Sequence, residues 1–432
     1  MINVLKSRWF LLILVACGLL LCGCGKEKQA GVQSDVVEVR FGWPGGHFEF
    51  MQNEVIPWFE RENPDIKIQF EYQPWNQFFT KLKTQIAAGE APDFWLSDGV
   101  YVMEFADRGA LLELTEWVKR DLDPSQYFAL DFTEDPDGKL WGVPRELQPI
   151  AFYYNKKLFD EAGLKYPDET WDWNTLLEYS KKLTKPKGRQ QQYGFESRNW
   201  ISAGWFNFIY QNEGKVLDET KTKSMLNQPE AIEAVEFMVD LIYKHKVSPP
   251  PDVSQSQGGQ LFQAEIVAMM YNNYATIAAL NQVKELDYDV TILPKGRIRA
   301  AGYNTCPFVI SAKTSKEKAE AAWKFIKFFV SNKEIQKKIS EYGIGVPIMR
   351  EVIYSDAFVG LKDRPHNREA FIEPLESGYA LPMDLNKCWN EWRTALTDDL
   401  SLAWLGKMST KDAMLKAHKD VQKILDRAFS DE

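Results

Sequence analysis

The chain opens with a solid apolar block. Trp9 to Leu21 is almost wholly apolar, with Lys6 and Arg8 before it and Leu21-Cys22-Gly23-Cys24 after it. A polar stretch, Gly25 to Asp35, follows without any apolar period and reads as a flexible tether. Alternation then begins. Val37, Val39 and Phe41 against Glu38 and Arg40 predict a strand over Val36–Trp43, broken by Gly42-Trp43-Pro44-Gly45-Gly46-His47. A helix is predicted over Met51–Glu62, closed by Asn63-Pro64. Ile66, Ile68, Phe70 and Tyr72 share one face of a second strand. Phe78, Leu82 and Ile86 give a helix over Pro74–Ala88, which Gly89 ends. Ala91-Pro92-Asp93-Phe94-Trp95-Leu96-Ser97-Asp98-Gly99 reads as a short buried strand opening into a turn, then a helix over Val100–Arg108. Strand and helix in strict turn imply parallel strands joined by crossovers.

The middle is less regular. Lys139 to Pro144 leads into a strand over Ile150–Asn155, then helices over Lys156–Ala162 and Trp171–Thr184, with Asp172 able to cap the second. Ser202–Asn212 reads as an aromatic helix stopped by Gly214, and Pro229–Lys246 as a long amphipathic one. A short helix, Gly258–Ala264, precedes a strand over Ile266–Tyr271; Tyr288–Leu293 and Phe308–Ser311 are further strands. Helices over Lys316–Val330, Lys333–Glu341, Asn367–Glu376, Asn386–Trp404 and Thr410–Phe429 finish the chain. In an open parallel sheet, ligands sit beyond the carboxyl ends of the strands. Here those ends carry Trp43, Gln73 to Trp75, and Ser97 to Gly99.

The apolar opening is too short for a comfortable membrane span of about 20 residues. Basic start, apolar core and small residue before the cut are the parts of a secretory signal. Leu21-Cys22-Gly23-Cys24 resembles the lipobox of bacterial lipoproteins, which implies lipidation of Cys24 and attachment to the extracytoplasmic face of the cell membrane. A plain signal peptide or an N-terminal anchor helix is the alternative.

Composition narrows the class. With 45% hydrophobic and 26% charged residues, the 432-residue chain is ordinary globular protein. Removing residues 1–23, which hold two basic residues and no acids, takes the formal charge from −9 to −11. An acidic body argues against nucleic acid, whose phosphates need a basic patch. Four scattered histidines have no metal-ligand spacing, and no cofactor motif is present. Beyond the signal only Cys306 and Cys388 remain; they could pair, or stand as two separate thiols. The excess is aromatic, at 13% with 15 Trp.

Several segments together resemble one family. Gly138-Lys139-Leu140-Trp141-Gly142-Val143-Pro144 comes first, then Phe152 to Leu164 with Tyr154-Asn155-Lys156-Lys157, then Thr170-Trp171-Asp172-Trp173. Ala91-Pro92-Asp93, Gly259 to Met270, Pro294-Lys295-Gly296 and Ala321 to Phe328 continue in order. This series is similar to the bacterial extracellular solute-binding proteins of the maltose-binding, sugar-binding class. The resemblance implies an α/β, two-lobed periplasmic-binding-protein-like fold of type II, with an interlobe cleft and strand crossings at the hinge. It implies lobes over 36–149 plus 309–354 and over 150–308 plus 355–432. It also implies a monomer that captures a carbohydrate, expected to be an oligosaccharide, and hands it to an ABC-type permease.

A sugar offers an apolar ring face and many hydroxyl groups, so aromatic planes and carboxylates or amides should converge on it. The candidates at strand ends and breaks are Trp43, His47, Trp75, Asp98, Arg145, Glu146, Trp205, Asn207, Asn272, Tyr274, Tyr303 and Asn304. Several have a plainer reading: core packing for Trp43 and Trp205, an exposed turn residue for Asp98, a surface pair for Arg145-Glu146, and helix capping for Asn272 and Tyr274. Trp389 and Trp392 read as core. Asp98 and Glu146 could be cast as the carboxylate pair of a secreted glycosidase, but no local motif supports it. A polyamine, a glycerol-phosphate or an anionic sugar are the other ligands left open.

Overall fold

The computed structural model describes residues 36–187, 190–251, 253–254 and 259–430. The signal segment, the tether and Cys24 lie outside the described residues.

Eleven strands are found among the described residues: β1 (Val37–Pro44), β2 (Ile66–Gln73), β3 (Phe94–Leu96), β4 (Val143–Asn155), β5 (Lys185–Lys187), β6 (Gln190–Phe195), β7 (Val267–Asn273), β8 (Tyr288–Thr291), β9 (Ala301–Ile310), β10 (Val346–Pro347) and β11 (Ala380–Pro382). They join in the order β2-β1-β3-β9-β4-β7-β6-β5, with β10 and β8 also on β4 and β11 on β9. β1 lies parallel to both β2 and β3, as crossover helices require. Phe41 of β1 stacks on Phe94 of β3 with centroids 4.3 Å apart, and Phe325 closes on both. Phe325 belongs to the helix Lys316–Ser331, whose buried face also presents Trp323, Ile326 and Phe329. This is the helix-on-sheet packing that the alternating pattern predicts.

β4 and β9 hold the two-lobed molecule together. β4 pairs with β9 through Val143 to Pro149, then with β7 and β8 through Ile150 to Asn155. One strand therefore serves two regions of sheet. It is longer than its predicted piece, Ile150–Asn155, and runs through both Pro144 and Pro149. Pro144 in fact sits beside a register shift between Pro144 and Leu147. That shift is a β-bulge, in which an extra residue is accommodated without ending the ladder. β9 likewise runs from Ala301, well before the predicted Phe308.

Two helices are corrected. Ser202–Asn212 is not one helix: Ile201–Trp205 is an irregular wide turn, with Gly204 at φ −146°, and only Phe206–Gln211 is α-helical. Asn367–Glu376 is a 3₁₀ turn, Arg368–Phe371, followed by Glu373–Glu376, where Pro374 starts a new turn. Asp172 does cap its helix, Trp173–Leu183, accepting from the Thr175 N–H. Cys306 and Cys388 are free thiols. Among the described residues no helix is long and apolar enough to cross a membrane.

Candidate functional site

At the bulge, Arg145 and Glu146 of β4 stand opposite the single residue Cys306 of β9. Both are buried, and they bond to each other: Arg145 Nη2 donates to Glu146 Oε1 at 2.8 Å and Nε donates to Oε2. The guanidinium lies 5.0 Å from the ring centroid of Trp43, at the end of β1. Gln148 continues the row: its Nε2 donates to Glu146 Oε1 at 3.3 Å and to Ile344 O at 2.8 Å. Gly345 is required behind the pair, since a Cβ there would lie 2.1 Å from Glu146 Cγ.

The loop after β1 brings in His47, held in a left-handed turn at φ 60°. Burial lowers the pKa of its imidazole, with the charge of Arg145 adding to the effect and Glu146 opposing it. Trp43 Nε1 donates to Gly46 O at 3.0 Å, which fixes this loop. Trp75, the first residue of the helix Trp75–Ala88, lays its ring on Gly45, whose φ of +79° suits glycine.

Beyond β3, Asp98 caps the helix Gly99–Asp107, accepting from Val100 N at 3.3 Å. Its Oδ1 also accepts from Asn304 Nδ2 at 2.9 Å, across to β9. Burial raises the Asp98 pKa. Gly99 permits this approach: a Cβ would meet Phe132 at 2.6 Å and Asn304 Oδ1 at 2.8 Å. Asn304 Oδ1 itself has no hydrogen-bond partner among the described residues.

The helix Trp389–Trp404 faces this group. Arg393 acts on Asp98 and on Tyr101 through its charge, stacks 5.2 Å from the Trp389 ring, and leaves its Nε without a partner among the described residues. Asn390 Nδ2 donates to Glu104 Oε2 at 2.6 Å. After β6, Arg198 lies 4.7 Å from the ring of Trp200, which is 43% exposed.

Seven of the twelve candidates therefore gather at the strand ends and the bulge: Trp43, His47, Trp75, Asp98, Arg145, Glu146 and Asn304. The other five do not join them. Trp205 is wholly enclosed in the core. Asn207 is spent on backbone, with Nδ2 donating to Ser202 O at 2.7 Å and Oδ1 accepting from Gly302 N at 2.8 Å. Asn272 closes the turn after β7 through Thr276 Oγ1, 3.1 Å away. Tyr274 is buried against Phe358 and Phe371, its hydroxyl bonded to Arg368. Tyr303 points to the other face of β9, toward Phe132. Arg393, Asn390, Trp200 and Tyr101 were not among the candidates. The one usable signal was Arg393 standing four residues after Trp389, on the same helix face. Among the described residues no group of His, Cys, Asp and Glu could hold a metal ion.

The family model described as bacterial extracellular solute-binding protein matches residues 46–336. A binding protein of Brucella abortus is 27% identical over 405 residues, covering 92% of this chain and 94% of its own. A maltotriose-binding protein of Pyrococcus abyssi is 26% identical over 372 residues, covering 84% of this chain and 74% of its own. Among solved structures, an ABC substrate-binding protein from Listeria monocytogenes in complex with cycloalternan superposes with a TM-score of 0.80 at 27% identity, covering 90% of this chain and 99% of that one.

Proposed function

The chain belongs to the bacterial extracellular solute-binding proteins, and on that premise we propose that it captures an oligosaccharide between its two lobes and delivers it to an ABC-type permease. The observation that carries this reading is the buried Arg145–Glu146 pair at the bulge, ringed by Trp43, His47 and the Asp98–Asn304 bond. Rings, carboxylates, amides and a guanidinium meet where β4 and β9 pass from one lobe to the other. The relatives whose names state a ligand name saccharides, maltotriose and cycloalternan among them.

The mechanism is closure. The lobes divide near 149–150 and 308–309 and again near 354–355, so that 36–149 plus 309–354 form one and 150–308 plus 355–432 the other. The first supplies His47, Trp75 and Asp98, backed by Arg145, Glu146 and the ring of Trp43, which is itself wholly buried. The second supplies Trp200, Trp389 and Arg393, with Asn304 on the crossing strand. A sugar that touches both sets stabilises the closed form by its additional contacts there. No bond in the sugar is broken: the chain binds and releases.

A lipid on Cys24 holds this binder at the extracytoplasmic face of the membrane, and the 24–35 tether keeps it within reach of the permease, where high effective concentration favours transfer. Replacing Cys24 by Ser should release the protein from the membrane fraction. The test of the ligand class is a thermal-shift panel on the full chain with neutral and acidic oligosaccharides. One or a few should raise Tm by linkage. No shift across a broad panel, or turnover of any glycan, would overturn the reading.

A further inference from the structure

β6 and β7 run parallel, so their carboxyl ends open on the same side, where ligands of such sheets sit. The chain leaves β6 and passes through Glu196 and Arg198 to Trp200. Glu196 N donates to Met269 O, and Arg198 Nη2 donates to Tyr271 O at 3.0 Å, which holds this segment on β7. Asn199 Nδ2 then donates to Thr397 O at 3.0 Å and to Ser401 Oγ at 3.1 Å, both on the helix Trp389–Trp404. Arg393 stands one turn before Thr397, whose hydroxyl donates to Arg393 O at 2.8 Å. Arg198 and Arg393 are thus carried by adjoining segments.

Each of these arginines lies on a tryptophan and keeps donors unspent. A guanidinium has five N–H donors. Arg145 gives two of them to Glu146. Arg198 is only 8% exposed, yet among the described residues it donates one hydrogen bond, to Tyr271. Its Nε lies 3.8 Å from Glu196 Oε2, too far for a hydrogen bond, and neither atom has a partner among the described residues. Arg393, on the Trp389 ring, has a buried Nε without a partner and forms no ion pair among the described residues. Asn390, three residues earlier on the same helix face, donates to Glu104 of the other lobe, so Arg393 stands where the lobes meet. A cation taken from water without a bonded anion is costly, and an anion that arrives with the solute offsets that cost. Burial also raises the pKa of Glu196 and Asp98, the carboxyls whose charge reaches these arginines, so they compete less for them.

We propose that the captured saccharide is acidic: the carboxylate of a uronate unit is gripped by Arg393 at the lobe boundary, while Arg198 adds its charge beneath the exposed Trp200 ring on which a sugar ring stacks. This rests on the saccharide reading and narrows it. A carboxylate presents two oxygens in one plane, which a guanidinium fork matches, and the tryptophan plate holds that fork in place. A neutral sugar leaves both positive charges without an anion, and an amine adds a third positive charge beside them.

The test is calorimetric titration of the full chain, in detergent, with acidic trisaccharides of galacturonate, glucuronate and mannuronate units, each beside its own methyl ester. At least one acid should bind saturably and about tenfold or more tighter than its ester, as hydrogen bonds to a charged group imply. Added salt should weaken the acid and not the ester. Arg393→Met keeps an apolar stem on Trp389 and should remove the difference, whereas Arg393→Lys keeps the charge and should restore part of it. Near-ultraviolet circular dichroism checks that both variants keep the fold. Esters that bind as tightly as the acids, or a preference for the acid that survives Arg393→Met, would overturn the proposal and leave saccharide capture standing. Binding of a neutral oligosaccharide from the thermal-shift panel, with no acid bound, would do the same. No binding of any acidic or neutral sugar would overturn both.

Discussion

Arg145 and Glu146 are adjacent in the chain, yet their side chains bond to each other, with Nη2 to Oε1 at 2.8 Å. In a regular strand, neighbouring side chains point to opposite faces. The bulge opposite Cys306 removes that restriction and turns both toward Trp43 and His47. Burying this pair is costly, and leaving either charge alone is costlier still. Glu146→Gln should therefore lower unfolding free energy by about 3–5 kcal/mol, read by urea denaturation. Replacing both residues by apolar ones of similar volume should restore much of that loss while glycan binding stays absent. A fully stable Glu146→Gln protein would show that Arg145 is not committed to its neighbour.

Trp200 and Trp205 separate binding from packing. Trp200 is 43% exposed beneath the Arg198 guanidinium, whereas Trp205 is at 0%. Trp200→Ala should weaken the oligosaccharide found by the thermal-shift panel by about tenfold, the worth of one aromatic contact, with little change in stability. Trp205→Ala should cost about 3–5 kcal/mol of stability through the cavity it leaves. Equal loss of affinity and stability in both variants would remove the distinction.

These two tryptophans also mark where the sequence was legible. β1, β2 and β3 could be read because alternation and helical period coincide with their burial. The residues at their ends, Trp43, His47, Trp75 and Asp98, followed from the rule that ligands sit beyond carboxyl ends. Trp205 could not be told from Trp200, because a run of aromatics carries no period and the wide turn at Gly204 decides which ring faces inward. The full lengths of β4 and β9 were not legible: both strands run through prolines (Pro144, Pro149 and Pro307), which have no N–H to give to a ladder. The charge of Arg393 reaches Asp98 from the far end of the chain, an approach no local pattern encodes.

Asp98 does two jobs that substitution can separate. It caps the Gly99–Asp107 helix and accepts from Asn304. Asp98→Ala should cost about 1–2 kcal/mol from the lost cap alone, read by chemical denaturation. Asp98→Asn keeps a side-chain oxygen for the Val100 N–H and should cost less, yet removes the charge that faces Arg393. If Asp98→Asn bound oligosaccharide as the parent chain does, the carboxylate charge would have no part in capture.

Asp384 gives a pH dependence with a definite sign. Its Oδ2 accepts from the Tyr210 hydroxyl at 2.6 Å and from Leu217 N at 3.4 Å. Burial nevertheless raises its pKa from 3.8 to about 6, against the pull of those bonds and of Lys221 and Lys215. The folded state thus binds this proton more tightly than the unfolded state does. Between about pH 4 and 6 the unfolded chain has already lost the proton, so stability falls as pH rises through that window. Asp384→Asn cannot ionise and should lose this component. Relative to the variant, the parent chain should therefore become less stable by about 1–2 kcal/mol between pH 4 and pH 7.5, a value that allows for partial solvent access. Urea denaturation of both proteins at the two pH values measures it. A difference between parent and variant that does not change with pH would mean that Asp384 ionises as easily in the folded protein as in water.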